Sequence, residues 1–296
     1  MIYAVVVTYN GMQWYDRCIG SLLNSDEPVR VIVIDNASSD GSANHIESHF
    51  PEVHLIRSSE NLGFAKANNI GIRYAYDKGA DYVFLLNQDA WVEGNTLCKL
   101  VQTFRDNENV GVVSPMHFNG EGTDLDWKFA TCMSGDFVSD AYMNRLKPSY
   151  PIRSVNAAAW LISRHCIETI GGFDTNLFVH YGEDGNYCQR IQYHGLKLLV
   201  NTHCRIYHDR EFRRGHEDSY QKSVFDQTDT NRKLEWGNIN VNLDVEKQIQ
   251  NVRRSIMKCR LKFKFDKVRQ LQEEESFLER VLRSREVNSH KGLSWL

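Results

Sequence analysis

The run Tyr82-Val83-Phe84-Leu85-Leu86 breaks abruptly into Asn87-Gln88-Asp89. Such a segment reads as a buried strand that delivers a carboxylate to the carboxyl edge of a sheet, where open α/β sheets bind their ligands. The chain makes the same move earlier. Residues 2–7 form a continuous apolar run, as a strand covered on both faces requires, and end in Thr8-Tyr9-Asn10-Gly11. Residues 31–34 form a second run, ending in Asp35-Asn36, and residues 53–56 a short third. Between these runs lie helix patterns over 12–24 and 64–78, with Gly79 as a C-terminal stop. A helix from about Asn95 and a strand over 110–113 follow. This alternation predicts a doubly wound, mostly parallel α/β sheet.

Residues 117–150 are rich in Asp, Gly, Asn and Ser and read as loops with a crossing strand. Order resumes with a strand within 155–163, a helix near 165–170 and the turn Gly171-Gly172-Phe173-Asp174. A helix then starts near Glu183-Asp184 and stops at Gly195, and a strand covers 196–200. Beyond about residue 215 the strand patterns vanish, and 244–286 reads as helical. The expected division is a catalytic domain over 1–215 and a mainly helical extension over 216–296.

Composition narrows the function classes. A net charge of −3 over 296 residues gives no reason to expect nucleic acid as a partner. The apolar runs are too short to span a bilayer. No leader precedes the first strand, so a cytoplasmic protein is expected. The seven cysteines, an odd number without paired spacing, fit reduced thiols. Cys204 and His208 lie four apart, but no second pair completes a zinc site.

Adjacent parallel strands bring the ends of the first two runs into one crevice. Asp35 suits a base or ribose there and Tyr9 a ring, although both also serve as turn residues. In Asn61-Leu62-Gly63-Phe64-Ala65-Lys66-Ala67-Asn68, Gly63 permits close approach and the next helix points its N-terminus at the same crevice. Lys66 would then meet a phosphate, and Asn68 a base or a neighbouring loop. The segment matches neither a dinucleotide fingerprint nor a phosphate-binding P-loop, so neither NAD nor ATP is implied. Asp89 suffices as the carboxylate for a divalent ion that bridges a diphosphate, since water and phosphate supply the remaining ligands. Asn87 ligates weakly or holds ribose. Glu183 and Asp184 at a helix entry are favoured by its dipole, which also keeps a carboxylate ionised as a general base must be. Neighbouring acids point in different directions, so one catalytic and one structural role are expected. His208 stands alone after the last strand, as a surface residue or a ligand.

In order and spacing these segments resemble a family 2 glycosyltransferase of the GT-A fold over roughly residues 1–212. The elements that carry the likeness are Val5-Val6-Val7-Thr8-Tyr9-Asn10, Val33-Ile34-Asp35-Asn36-Ala37-Ser38-Ser39-Asp40-Gly41-Ser42, Asn61-Leu62-Gly63-Phe64 and Leu85-Leu86-Asn87-Gln88-Asp89. Gly171-Gly172-Phe173-Asp174 and Gly182-Glu183-Asp184 complete it, and the rhamnosyltransferase-like branch is the one resembled. The resemblance implies an inverting enzyme that takes a sugar from a dTDP- or UDP-linked donor to a hydroxyl of a glycan or lipid-linked glycan, in bacterial surface polysaccharide synthesis. It implies a divalent cofactor, Mg²⁺ or Mn²⁺, held by Asp89 and His208. Thr8, Tyr9, Asn10, Asp35, Asn36, Gly63, Lys66, Asn68, Asn87 and Gln88 would surround the nucleotide sugar. Asp184 would be the base, Glu183 would hold the acceptor or a nearby loop, and Trp160 would sit near the sugar. Asn87 replaces the first Asp of the family's common metal triplet, and Asn186 stands where many relatives carry a third acid.

Two other readings compete. A sugar-1-phosphate nucleotidyltransferase would carry an Arg-containing, Gly-rich loop after the first strand, which Val7-Thr8-Tyr9-Asn10-Gly11 lacks. A non-catalytic carbohydrate-binding subunit with a decayed site has no need to retain Asp89, Asp184 and His208 together. Finally, residues 253–269 hold eight basic residues and one acid, interleaved with Ile256, Met257, Leu261, Phe263, Phe265 and Val268. This reads as a basic amphipathic surface for anionic lipid at the inner face of the membrane, or as a helix packed on the catalytic domain or on a second subunit.

Overall fold

The computed structural model describes residues 1–179, 181–210 and 220–296. His180 and the expected domain junction near residue 215 lie outside the described residues. Strands β1 (Ile2–Thr8), β2 (Val29–Asp35), β3 (His54–Arg57) and β4 (Tyr82–Asn87) run parallel in the order β3-β2-β1-β4. They occupy the positions expected from the apolar runs. The second half of the sheet is mixed. β8 (Ala159–Ser163) lies antiparallel between β4 and β6 (Val110–Asn119), and β9 (Lys197–His208) runs parallel to β6. A short β5 (Ala90–Val92) closes the far edge antiparallel to β9, and β7 (Ser149–Pro151) also pairs with β9.

Alternate side chains feed two apolar layers. Tyr3, Val5, Ile32, Leu85 and Trp160 face one side, where α3 (Gly63–Asp77), α7 (Arg164–Ile170) and α8 (Glu183–Tyr193) pack. Ala4, Val6, Val33, Phe84 and Leu161 face the other, covered by α1 (Tyr15–Leu23), α2 (Ser42–His49) and α4 (Thr96–Asp106). Burial on both faces explains why these strands read as unbroken apolar runs rather than alternating ones. The irregular stretch contains two short helices, α5 (Trp127–Ala130) and α6 (Gly135–Tyr142), each capped by the preceding Asp126 or Ser134 side chain.

β9 is longer than the apolar run predicts. Its register against β6 jumps from Pro115↔Asn201 to Met116↔Arg205. A bulge at Pro115, whose ring nitrogen offers no ladder donor, absorbs the extra residues of β9. The strand then resumes through Ile206 to His208. Sequence reading stops it at residue 200 because the polar Asn201-Thr202-His203 looks like a strand end.

The C-terminal helices α9 (Tyr220–Gly237), α10 (Val245–Leu261) and α11 (Phe265–Ser289) pack against the rest of the fold. Val245, Ile249, Phe277, Leu278 and Val281 enclose Leu177 and Phe178, which come from the loop before α8. The last residues reach the Gly171-Gly172 turn. Gly172 N–H donates to the Ser294 carbonyl (2.8 Å), and Asn69 on α3 joins the Phe173 amide, the Phe173 carbonyl and the Trp295 carbonyl. Arg190 on α8 donates to the carbonyls of Ile170 and Gly172. The turn that precedes the acid pair is therefore held from three directions.

Gly171 has φ +72°, and a β-carbon there would lie 2.0 Å from the Ser294 carbonyl oxygen. Gly171→Ala is expected to cost about 2–4 kcal/mol, combining left-handed strain with displacement of the tail. Gly79→Ala, also at positive φ but in open space, should cost only about 1–2 kcal/mol. Urea midpoints of the two variants measure the difference, and equal losses would show that the Ser294 contact contributes nothing.

Candidate active site

The carboxyl ends of β1, β2 and β4 open onto a crevice of about 420 Å³, bounded across from them by the N-terminus of α8. Side chains predicted to touch a ligand divide here into two groups. Several brace the loops that form the walls. Gln88 accepts from the Tyr9 amide (2.8 Å) and donates to its carbonyl (3.1 Å), locking the β1 and β4 loops together. Asn10, at φ +48°, accepts from the Ser39 amide (2.8 Å). Asn36 donates to Asn61 (2.8 Å) and accepts from the Leu62 amide (2.7 Å), fixing the approach to Gly63 at φ +75°. Thr8 is buried and donates to Asp35, which faces a second hollow with Ser38, Ser58 and Arg57.

Tyr9, Asn36, Gly63, Asn87, Gln88, Glu183 and Asp184 do line the crevice. Thr8, Asn10 and Asp35 do not, and neither do Asn68, Lys66 and Trp160. Asn68 is buried and its amide donates one turn back to the Phe64 carbonyl (3.0 Å), because its helix turns that face toward the sheet. Lys66, one step round the same helix, is exposed and does not line the crevice. Trp160 is fully buried between Phe173 and Tyr187, at ring separations of 6.1 and 5.6 Å, as a core aromatic of β8.

Asp89 and His208, 119 positions apart, meet beneath the crevice floor. The antiparallel register sets His208 opposite Ala90, and the β6 register sets it opposite Asn119. His208 Nε2 lies 3.4 Å from Asp89 Oδ1, both side chains fully buried. Trp14 donates to Asp209 (3.0 Å), and the Asp209 amide donates to the Asp89 carbonyl (2.8 Å), which pins the two strand ends. On the other ring nitrogen, Nδ1, stands Asp126 Oδ2 at 3.3 Å. Arg210 Nε lies 2.6 Å from that same oxygen and 3.2 Å from Nδ1. Its single hydrogen goes to the carboxylate, the shorter and charge-assisted contact. His208 thus stands between two buried carboxylates, Nδ1 toward Asp126 and Nε2 toward Asp89.

The electrostatics follow from these contacts. Burial pushes the Asp126 carboxyl up, but His208, the Phe129 amide and Arg210 together hold it well below the usual carboxylate range. His117, buried behind them against Phe129 and 3.0 Å from Ser114 Oγ, is pushed down to about 3 by burial and by His208, and so stays neutral. Arg210 and Lys128 are cations that line the crevice itself. Asp126, Lys128 and Arg210 were not found from sequence. Asp126 reads there only as the N-cap of a short helix, and a lone Lys or Arg carries no signal.

Among the described residues no three His, Cys, Asp or Glu side chains group into a metal cluster. The donor set is a pair, carboxylate oxygen and imidazole nitrogen. Two atoms each about 2.1 Å from one ion and at right angles stand about 3 Å apart, close to the separation of this pair. A carboxylate on the far ring nitrogen is the usual support of a metal-binding histidine. In spacing and donor chemistry the pair suits two ligands of a divalent ion, beneath the crevice floor.

On the opposite wall, Gly182 at φ +90° opens α8, whose first residues are Glu183 and Asp184. Asp184 Oδ1 accepts from the Gly185 amide (2.7 Å). The expectation that the helix dipole keeps a carboxylate ionised here meets an opposing effect, burial. Burial pushes Asp184 up. Burial, with the neighbouring Asp184 charge, pushes Glu183 up to about 7.

The fold and its crevice are those of a glycosyltransferase, and sequence comparison agrees. The model for glycosyl transferase family 2 matches residues 3–169, more than half of the chain. The chain belongs to that family. It is 26% identical over 208 residues to the dTDP-rhamnosyl transferase RfbF of Shigella flexneri, covering 70% of this chain and 68% of the relative. It is 25% identical over 251 residues to the N-acetylglucosaminyl-diphospho-decaprenol L-rhamnosyltransferase of Mycobacterium tuberculosis, covering 75% and 81%. Among solved structures it resembles GalNAc-T7 with UDP, GalNAc and Mn²⁺ at a TM-score of 0.59 and 17% identity, over 71% of this chain and 44% of that one. It resembles Staphylococcus aureus TarS 1-349 with UDP at 0.57 and 16%, over 84% and 69%. These low identities establish the GT-A fold.

Because Glu183 is protonated more readily folded than unfolded, it favours the fold at low pH. That contribution is lost as pH rises from the usual value near 4.5 through about 7. Glu183→Gln removes the buried charge and should raise stability by about 3 kcal/mol above pH 7, with little change near pH 4. Urea unfolding of both proteins across that range is the check; a gap independent of pH would exclude ionisation as its cause.

Proposed function

We propose that the crevice binds a dTDP- or UDP-linked sugar and transfers it, with inversion, to a hydroxyl of a lipid-linked glycan. The observation that carries this reading is one acidic centre, Asp184, on the α8 wall of the crevice and a second, Asp89, buried beneath its opposite side. Asp89, with His208 behind the Asn87 and Arg210 wall, lies on the donor side, and Asp184 stands on the α8 side. A single-displacement transfer needs leaving group and base on opposite sides of the anomeric carbon, and this layout meets that need. The relatives named for dTDP-rhamnosyl transfer and for a decaprenyl-diphosphate-linked acceptor favour a deoxyhexose donor and a lipid-linked acceptor. A role in surface polysaccharide synthesis at the cytoplasmic membrane face follows from that choice.

Each residue has a chemical task in this proposal. Asp89 and His208 would hold the divalent ion, which as a Lewis acid neutralises the diphosphate as it leaves. Asp126, on the Nδ1 side of His208, would orient the ring with Nε2 toward the ion. Arg210 and Lys128 add positive charge at the crevice wall, where a diphosphate would need it. Asp184 takes the proton of the acceptor hydroxyl, and its raised affinity for protons suits that step better than a fully solvated carboxylate would. Glu183, deeper and mostly protonated below pH 7, limits the negative charge beside it. Gln88, Asn10 and Asn36 keep the nucleotide loops in place. Membership of glycosyl transferase family 2 favours this reading over a nucleotidyltransferase, and Asp89, Asp184 and His208 together favour it over a decayed site.

Asp184→Asn is expected to lower transfer by about 10³-fold or more while UDP or dTDP affinity, measured by calorimetry, stays nearly unchanged. Near-normal turnover would remove Asp184 from the role of base. Asp126→Asn should weaken Mn²⁺ binding in the presence of UDP or dTDP by about 10- to 100-fold, read by titration calorimetry without any turnover. Unchanged affinity would mean that the Asp126 contact does not orient a metal ligand. Transfer that persists in excess chelator would leave the diphosphate to Arg210 and Lys128 alone.

A further inference from the structure

Helices α10 and α11 form a hairpin anchored at one end only. The anchor is the cluster of Ile249, Phe277 and Leu278 around Leu177 and Phe178. From Ile249 to Leu261, and from Phe277 back to Phe265, each helix runs 12 residues, which is about 18 Å beyond that anchor. Past it, Ile256 and Val268 are the last buried apolar residues. The connecting turn carries Phe263 at φ +53°. Here Met257, Leu261, Phe263 and Phe265 are 58, 81, 79 and 66% exposed, the highest concentration of bare apolar side chains on the extension.

Charge accompanies them. Lys258, Arg260, Lys262, Lys264 and Lys267 are exposed around the same turn. Among the described residues none of these five has a carboxylate within ion-pair distance, although Asp266 sits among them. The acidic run on α11 is already committed elsewhere. Glu273 pairs with Arg269, Glu274 with Arg232, and Glu275 with Arg253. A second copy of this chain therefore offers no free acidic stripe on α11 to match the tip.

We propose that this tip is a docking surface for an anionic lipid bilayer. Phe263, Phe265 and Leu261 enter the headgroup and acyl boundary while the five cations meet lipid phosphates. An amphipathic surface of apolar projections ringed by Lys and Arg has the chemistry that anionic bilayers select. An acidic protein partner would use the cations and leave the two phenylalanines in water. The proposal goes beyond the transfer chemistry and stands without it, since membrane contact is read with no sugar transferred.

The test is sedimentation of the full chain with sucrose-loaded vesicles, either pure phosphatidylcholine or phosphatidylcholine with about one third phosphatidylglycerol. The wild-type chain should pellet with the second and not with the first. Phe263→Ser with Phe265→Ser, and separately Lys262→Glu with Lys264→Glu, should each weaken partition by about tenfold or more. Both pairs are fully outside the packed core, so thermal melting and nucleotide binding should match wild type and certify folded protein. Equal pelleting with neutral and anionic vesicles, or unchanged partition of both folded variants, overturns the proposal. Self-association in the absence of vesicles that both variants abolish also overturns it, in favour of a second copy as the occupant.

Discussion

His208 faces Ala90 across one ladder and Asn119 across another, and the geometry of the donor side depends on that double pairing. Two ladders fix the strand end along both directions of the sheet, so the imidazole reaches Asp89 without help from a flexible loop. The bulge at Pro115 is what lets β9 run far enough. Without it the strand would end near Asn201, and the histidine would have no reason to sit beneath the crevice. Trp14 and Asp209 then hold the strand end against α1 and β4.

Around this point the fold buries charge and arranges compensation for each buried group. Asp126 faces His208 and Arg210, while His117 stays neutral next to them because burial and nearby positive charge both oppose protonation. Across the crevice the balance differs. Glu183 and Asp184 lie side by side with no cation in ion-pair contact among the described residues, so both hold protons more tightly than free carboxylates. One side thus keeps the Asp126 carboxylate ionised and His117 neutral, while the other raises the proton affinity of Glu183 and Asp184.

The helical extension serves the same crevice from behind. Its apolar cluster clamps the loop carrying Leu177 and Phe178, and its last residues seat against Gly171 and Gly172. The turn before the acid pair is held by α3, α8 and the tail together. The hairpin is anchored beside the loop before α8 and exposes phenylalanines and lysines at its far end.

The sequence by itself determined the four parallel strands, their helices, and the family, because burial on both faces forces unbroken apolar runs and the polar residues that follow them must lie at one edge. It also determined Asp89, His208 and Asp184 as the residues to watch. Tertiary structure decided their surroundings. Asn68, Lys66 and Trp160 left the crevice because helix phase and core packing, invisible in a short motif, turned them elsewhere. Gln88, Asn10 and Asn36 became loop braces because their amides had backbone groups within reach. Asp126 and Arg210 joined the site from segments without pattern, brought there by a strand register and a bulge. Local periodicity records which side of an element meets the core; which distant side chains share a hydrogen bond depends on long-range pairing that periodicity does not encode.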